Sequence, residues 1–276
     1  MDVVGLGTAA CNIADHFSRY PQYTVHKIDV GIEGDRCFSV GQQRNAEDYE
    51  SNVPVMNDFF SGFGDEVLFI IAGSGNISGM ALRVLEQIKN KRITILYISP
   101  NKKTLTGKKK LLERATFGIL QEYARSGLLE EVVIVSNEKV AEIVGDLPVI
   151  GYYRKINELI VSTLHFINIF NRTEHVYGVL EDKDDVCAIT TIGILNPETS
   201  KEQMLFDLDL IREKDYQYAL RNSVLMSESK VIPTIEGHME EKTETWLTKI
   251  SYRIYSTEYE TDYGYVMYRT SKVQGE

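Results

Sequence analysis

The 276-residue chain has three cysteines, six prolines and one tryptophan, and its 30 basic residues are outnumbered by 40 acidic ones, for a formal net charge of −10. Cys11, Cys37 and Cys187 cannot all be bridged to one another and show no C-x-x-C spacing. That excludes a disulfide framework and predicts a reducing, cytoplasmic setting. The acid excess works against attraction to nucleic acid and to anionic membranes, so neither is expected as a direct partner. Apolar runs such as VLFIIA (67–72) are far short of a membrane span. No cationic segment precedes the first apolar stretch, which predicts the absence of a signal peptide. His16, His26, His165, His175 and His238 share no metal-ligand spacing, so no side chain is assigned to a metal. Ser74 and Ser78 lie in no G-x-S-x-G elbow, which speaks against a hydrolase nucleophile.

What is present is a globular balance, 43% hydrophobic and 25% charged, with enough length for a large core. DVVG (2–5), YTVHKID (23–29), EVLFIIAG (66–73), RITILYIS (92–99) and EVVIVS (131–136) read as buried strands, each a compact apolar run ended by Gly, Ser or Asp. Between them, NIADHFSRY (12–20), ISGMALRVLEQIKNK (77–91) and KKKLLERATFGILQEYARSG (108–127) repeat apolar residues at three and four, as helices do. The alternation predicts an α/β fold with a parallel sheet flanked by helices. Residues 147–170, apolar on more than one face, predict a central core helix packed on two sides. Beyond it, HVYGVL (175–180), VCAITTIGIL (186–195), SYRIYSTEY (251–259) and YGYVMYR (263–269) read as strands, and residues 197–220 as a helix. The expected division is an α/β nucleotide-binding domain over 1–146, the core helix over 147–171, and a smaller β-containing C-terminal domain over 172–276.

Two glycine-rich turns stand out. In VVGLGTAACN (3–12), Gly5, Gly7 and Ala10 satisfy G-x-G-x-x-A, and Asp29 ends the next strand. That is the layout of a dinucleotide-binding fold, with the acid on ribose hydroxyls. In FIIAGSGNISGMAL (69–82), Gly73, Gly75 and Gly79 alternate with Ser74, Asn76 and Ser78 before a helix. Right-handed connections place both turns on one carboxyl edge, where bare amides at helix starts suit a phosphate. Two such loops can grip a triphosphate from two sides. Either loop taken alone is equally explained by glycines that end strands.

The series resembles the tubulin/FtsZ superfamily of GTP-binding cytoskeletal proteins. GLGTAACN (5–12), through Gly5, Gly7, Thr8, Ala9, Ala10 and Asn12, is similar to that family's first nucleotide loop, and GSGNISG (73–79) sits where its G-G-G-T-G-[ST]-G loop belongs. PNKKTLTGKKK (100–110) resembles the ribose-contact segment, with Thr106 and Lys110 in the places of an acid and an arginine. YYRKINEL (152–159) resembles the start of the core helix, where Tyr153 takes the place of the residue stacked on the base and Asn157 that of the residue reading its edge. The resemblance implies GTP/GDP as ligand, Mg²⁺ as its companion, and head-to-tail self-assembly. Two departures occur in the second loop: Asn76 replaces a threonine and Ile77 a glycine, which puts a branched side chain where backbone must approach phosphate.

In that family, acids following the core helix of one subunit position water at the nucleotide of the next, in a pattern like N-x-D-x-x-D. Asp182 and Asp185 of LEDKDD (180–185) have that spacing, with Leu180 in place of the Asn. The same residues also read as a solvated turn between two antiparallel strands. A nicotinamide- or flavin-dependent enzyme using Gly5, Gly7 and Asp29, and a structural protein that keeps the fold without nucleotide, remain as alternatives.

Overall fold

The computed structural model describes residues 1–101, 105, 107–146, 148–242 and 247–275. In the first half the strands are β1 (Asp2–Leu6), β2 (Thr24–Val30), β3 (Cys37–Val40), β4 (Glu66–Ala72), β5 (Arg92–Ser99) and β6 (Glu131–Ser136). In the second half they are β7 (Tyr177–Val179), β8 (Ile189–Leu195), β9 (Glu202–Met204), β10 (Glu213–Arg221), β11 (Lys249–Thr257) and β12 (Tyr263–Thr270). All twelve join one sheet in the order β3-β2-β1-β4-β5-β6-β8-β12-β10-β11-β7, with β9 on β8. From β3 across to β8 every neighbour is parallel. Beyond β8 the sheet is mixed, because β12 runs antiparallel to both β8 and β10, and β7 antiparallel to β11.

Helices α1 (Thr8–Phe17), α2 (Ala46–Ser51), α3 (Asn57–Phe60), α4 (Ala81–Gln87), α5 (Gly107–Arg125), α6 (Asn137–Val144) and α7 (Tyr152–Phe170) cover the parallel part. Two more, α8 (Asn222–Ser227) and α9 (Val231–Lys242), follow β10. Alternation along each strand separates the two faces. In β4, Val67, Phe69 and Ile71 join the core beneath α2, α4 and α5, whereas Leu68 and Ile70 join the core beneath α1, α6 and α7.

The α7 core also takes in Ile192, Ala219, Tyr255, Tyr265 and Met267, so one helix packs across strands of both halves of the chain. It starts at Tyr152 rather than Leu147 because Gly151 enters with φ 89°, a left-handed conformation that a helix cannot pass through. It runs from the carboxyl edge of the sheet to the amino edge, where Arg172 pairs at 2.6 Å with Glu66, the first residue of β4. Beside α1 it is fixed by Arg19–Glu158 at 3.1 Å and by the His165 ring, stacked on Tyr20 at 3.5 Å between ring centres.

The helix expected over 197–220 is absent. In its place are an irregular segment, the short β9, and β10, an interior strand hydrogen-bonded on both sides. Tyr216, Tyr218 and Leu220 alternate into a third core beneath α9. The neighbouring Glu213, Lys214 and Asp215, helix-like in composition, are buried through ionic and polar contacts. Asp215 is paired with Arg253, and Arg269 lies 3.9 Å from Asp215 while donating to Glu131 at 3.2 Å. Sequence reading also passed over β3, a four-residue edge strand.

Arg269→Ala leaves the half-buried Glu131 and the buried Asp215 short of a counter-charge, and should cost about 3–5 kcal/mol in urea unfolding. Burial holds the imidazoles of His165, His16 and His26 below their ordinary value. A lowered folded-state pKa means that the unfolded chain takes up more protons on acidification, so stability present above about pH 6.5 is lost as pH falls below it. The urea midpoint should therefore drop between about pH 7.5 and about pH 5.5, and His165→Gln should flatten that slope.

Candidate functional site

In the order β3-β2-β1-β4-β5-β6 the chain leaves β1 in one direction to reach β2 and comes back on the other side as β4. The crevice outside the carboxyl ends of β1 and β4 is thus a topological switch point, where ligands of open α/β sheets bind. Leu6 is level with Ile71 in the parallel register, so the two glycine loops leave the sheet side by side.

The first loop is shaped by close packing. A Cβ built on Gly5 would lie 2.7 Å from the Cys11 backbone, so α1 can press on β1 only over a glycine. Gly7 has φ 84° and begins α1 with no side-chain cap. Its own amide bonds to the Ile28 carbonyl at 2.8 Å, and its carbonyl receives the Cys11 amide at 2.8 Å. Thr8, Ala9 and Ala10 fill the first turn, whose amides have no acceptor within the helix. Asn12 is exposed one turn further on. The Cys11 thiol donates to the Gly5 carbonyl, and burial pushes its pKa up to about 12, so it is a packing group and not a nucleophile.

Asp29 braces this loop. One carboxylate oxygen accepts the Thr8 hydroxyl at 2.7 Å and the other the Val30 amide at 2.9 Å. Its engagement with the chain itself weakens the reading in which it holds ribose hydroxyls of a dinucleotide.

The second loop is pinned at both ends. A Cβ on Gly73 would lie 2.1 Å from the Tyr97 hydroxyl, which in turn donates to the buried Glu113 at 3.2 Å. A Cβ on Gly79 would lie 2.3 Å from the Ala46 carbonyl of α2. Between the pins, Ser74 bonds back to the Ala72 carbonyl, and the Ser78 hydroxyl donates to the Gly75 carbonyl at 2.6 Å. The exposed Gly75 and Asn76 lead into a 3₁₀ turn (Asn76–Met80), which also has no side-chain cap. Two uncapped helical starts therefore share the crevice. In the gap, Ile77 Cγ2 is 2.5 Å from where a Cβ on Gly7 would be and 3.8 Å from one on Gly75.

Lys110 is exposed in the first turn of α5, which follows β5 at this same edge, and Thr106 lies outside the described residues. Tyr153 and Asn157 lie one turn apart near the start of α7, next to α1. Tyr153 is 68% exposed; Asn157 is only 8% exposed, and its amide makes no hydrogen bond among the described residues.

Asp182 and Asp185 are at the opposite edge. They occupy an exposed segment that crosses beneath the sheet from edge strand β7 to β8, passing the starts of β11 and β10, and so do not form a hairpin turn. The crossing is tied by the Glu181 amide to Ser251 at 2.9 Å, the Asp184 amide to Glu213 at 2.7 Å, and Lys249 to the Asp182 carbonyl at 2.6 Å. Sequence reasoning found the loops and the spacing of the acids. It missed Tyr97, Glu113 and Ala46, whose contacts with Gly73 and Gly79 leave no local pattern.

No protein-family model and no curated protein sequence matches the chain. Solved structures do. TubZ of Bacillus thuringiensis serovar israelensis, in a GTPγS-form protofilament, is 15% identical, with 97% of this chain and 86% of that one covered at a TM-score of 0.70. FtsZ of M. jannaschii is 16% identical over 98% of this chain and 87% of that one, at 0.67. CetZ1 of Haloferax volcanii, a GDP-bound monomer, is 16% identical over 98% and 94%, at 0.69. A likeness that spans both the parallel and the mixed parts of the sheet separates this architecture from a dinucleotide-binding fold sharing only the first six strands, and the chain has the tubulin/FtsZ fold.

Proposed function

We propose that the chain binds a guanine nucleotide between its two glycine loops and assembles head-to-tail into filaments. The observation that carries this reading is the pair of uncapped helical starts at the switch point. Their outward amides supply the partial positive charge and the donors that a phosphate chain requires. The amides of Thr8–Ala10 and of Gly75–Ile77 are assigned to phosphate, Lys110 to ribose or phosphate, the exposed Tyr153 ring to stacking on the base, and the Asn157 amide, without a hydrogen bond among the described residues, to its edge. Mg²⁺ is proposed as companion of the triphosphate, held mainly by phosphate and water. Among the described residues no cluster of three or more His, Cys, Asp or Glu side chains is arranged to hold a metal by itself.

Several features support self-assembly. The TubZ neighbour is a protofilament. Two local patches at opposite edges also differ in charge: Lys108, Lys109, Lys110 and Arg154 are exposed at the carboxyl edge, and Glu181, Asp182, Asp184 and Asp185, around the single cation Lys183, at the amino edge. Unlike patches attract and like patches repel, which favours a heterologous contact and hence an open filament. In such a contact Asp182 and Asp185 of one subunit reach the nucleotide of the next, where carboxylates can orient water. The contact of Ile77 with Gly7 supports the second reading, a nucleotide-free structural protein of the same fold.

Light scattering distinguishes the two. Assembly that rises on addition of GTP supports the first reading, and assembly indifferent to nucleotide supports the second. Asn157→Ala should weaken GTP binding by about tenfold and reduce the preference over ATP, measured by calorimetric titration. Asp182→Ala with Asp185→Ala should leave binding intact and slow phosphate release in the assembled state; unchanged release would remove the acids from catalysis.

A further inference from the structure

We propose that Ile77 is a gate on the nucleotide cradle, and that the free energy of moving its side chain sets the affinity for the nucleotide. The inference rests on the nucleotide-binding reading and adds to it a residue that controls access. The Cγ2 methyl of Ile77 occupies the space beside Gly7 that a side chain there would otherwise take, and touches the region over Gly75 as well, so one apolar group spans both loops. The rest of the side chain packs against the core beneath α2 and α4. In this position an apolar methyl stands in the gap between the two loops, next to the exposed Thr8, Ala9, Gly75 and Asn76, where it narrows the space for a phosphate and offers it no donor.

The loop backbone has little freedom to retreat and clear the cradle. At Gly73 it is wedged against Tyr97, and at Gly79 against the Ala46 carbonyl, each so close that not even a methyl group fits. The movable part between those pins is the Ile77 side chain. Opening the cradle means rotating an aliphatic group out of a partly buried contact, and that exposure opposes nucleotide binding. A ligand whose apparent affinity depends on such a minor open state binds more tightly once the closing group is removed.

The test uses the full chain and three variants, titrated with GTP and Mg²⁺ by calorimetry, with melting temperature as the check on folding. Ile77→Gly should bind GTP at least about tenfold more tightly than the parent, the release expected for a half-buried aliphatic contact. Ile77→Val retains Cγ2 and should match the parent. Gly75→Ala, whose added methyl meets only the Ile77 methyl at 3.8 Å, should fold normally and bind more weakly than the parent. Equal GTP affinity in the parent and Ile77→Gly overturns the gate and leaves the nucleotide site standing. Absence of binding by both, with Ile77→Gly folded, overturns the gate together with the reading on which it rests.

Discussion

The close seat of α1 on β1 is the constraint from which the rest of the site follows. With no side chain at Gly5, the backbone of residues 10 and 11 lies within van der Waals contact of the strand, and the Cys11 thiol closes the gap by donating to the Gly5 carbonyl. A helix set that close begins immediately after the strand ends, so its unbonded first-turn amides point out over the sheet edge and not sideways into solvent. The parallel register then brings the β4 loop level with it. Any residue larger than glycine at position 5 would push α1 away from the sheet, and the switch-point crevice would lose one wall.

Helix α7 fixes the distance over which the two edges communicate. Its nineteen residues span about 28 Å, from Tyr153 and Asn157 at the carboxyl edge to Arg172 on Glu66 at the amino edge. Because it packs on strands of both halves, a displacement of its first turn is resisted by the whole of its apolar face. Near its far end, Asn171 accepts from Gln217 and Arg253, the latter part of the buried ionic network that holds β10, β11 and β12 together. The proposed base contacts and the acidic crossing are thereby parts of one rigid assembly, although roughly the full depth of the sheet separates them.

Much of the parallel half could be read from the sequence, because its strands are short apolar runs cut off by glycine and its helices repeat at three and four. The second half resisted for a physical reason. Glu213, Lys214 and Asp215 are charged residues in the interior of a sheet, tolerated there only through contacts such as the Arg253 pair and the hydrogen bond of Lys214 to the Lys242 carbonyl. Local pattern cannot reveal a burial whose compensation lies 28 and 38 residues away, so the segment reads as helix. The alternation of Tyr216, Tyr218 and Leu220 was the available sign of a strand, three residues in a window dominated by helix formers.

The glycines of the two loops carry a different lesson. Five of them invite one explanation, close approach of backbone to phosphate, but three serve the fold itself. Gly5 accommodates α1, Gly73 the Tyr97 hydroxyl, and Gly79 the Ala46 carbonyl. The buried Gly7 and the exposed Gly75 both border on Ile77. A glycine motif therefore reports how tightly the elements pack at the switch point before it reports a ligand, which is why its loops persist in outline even where a branched residue stands between them. The chemistry of the crevice depends on what lies between those two glycines, and in this chain that is the Ile77 methyl beside two uncapped helical starts.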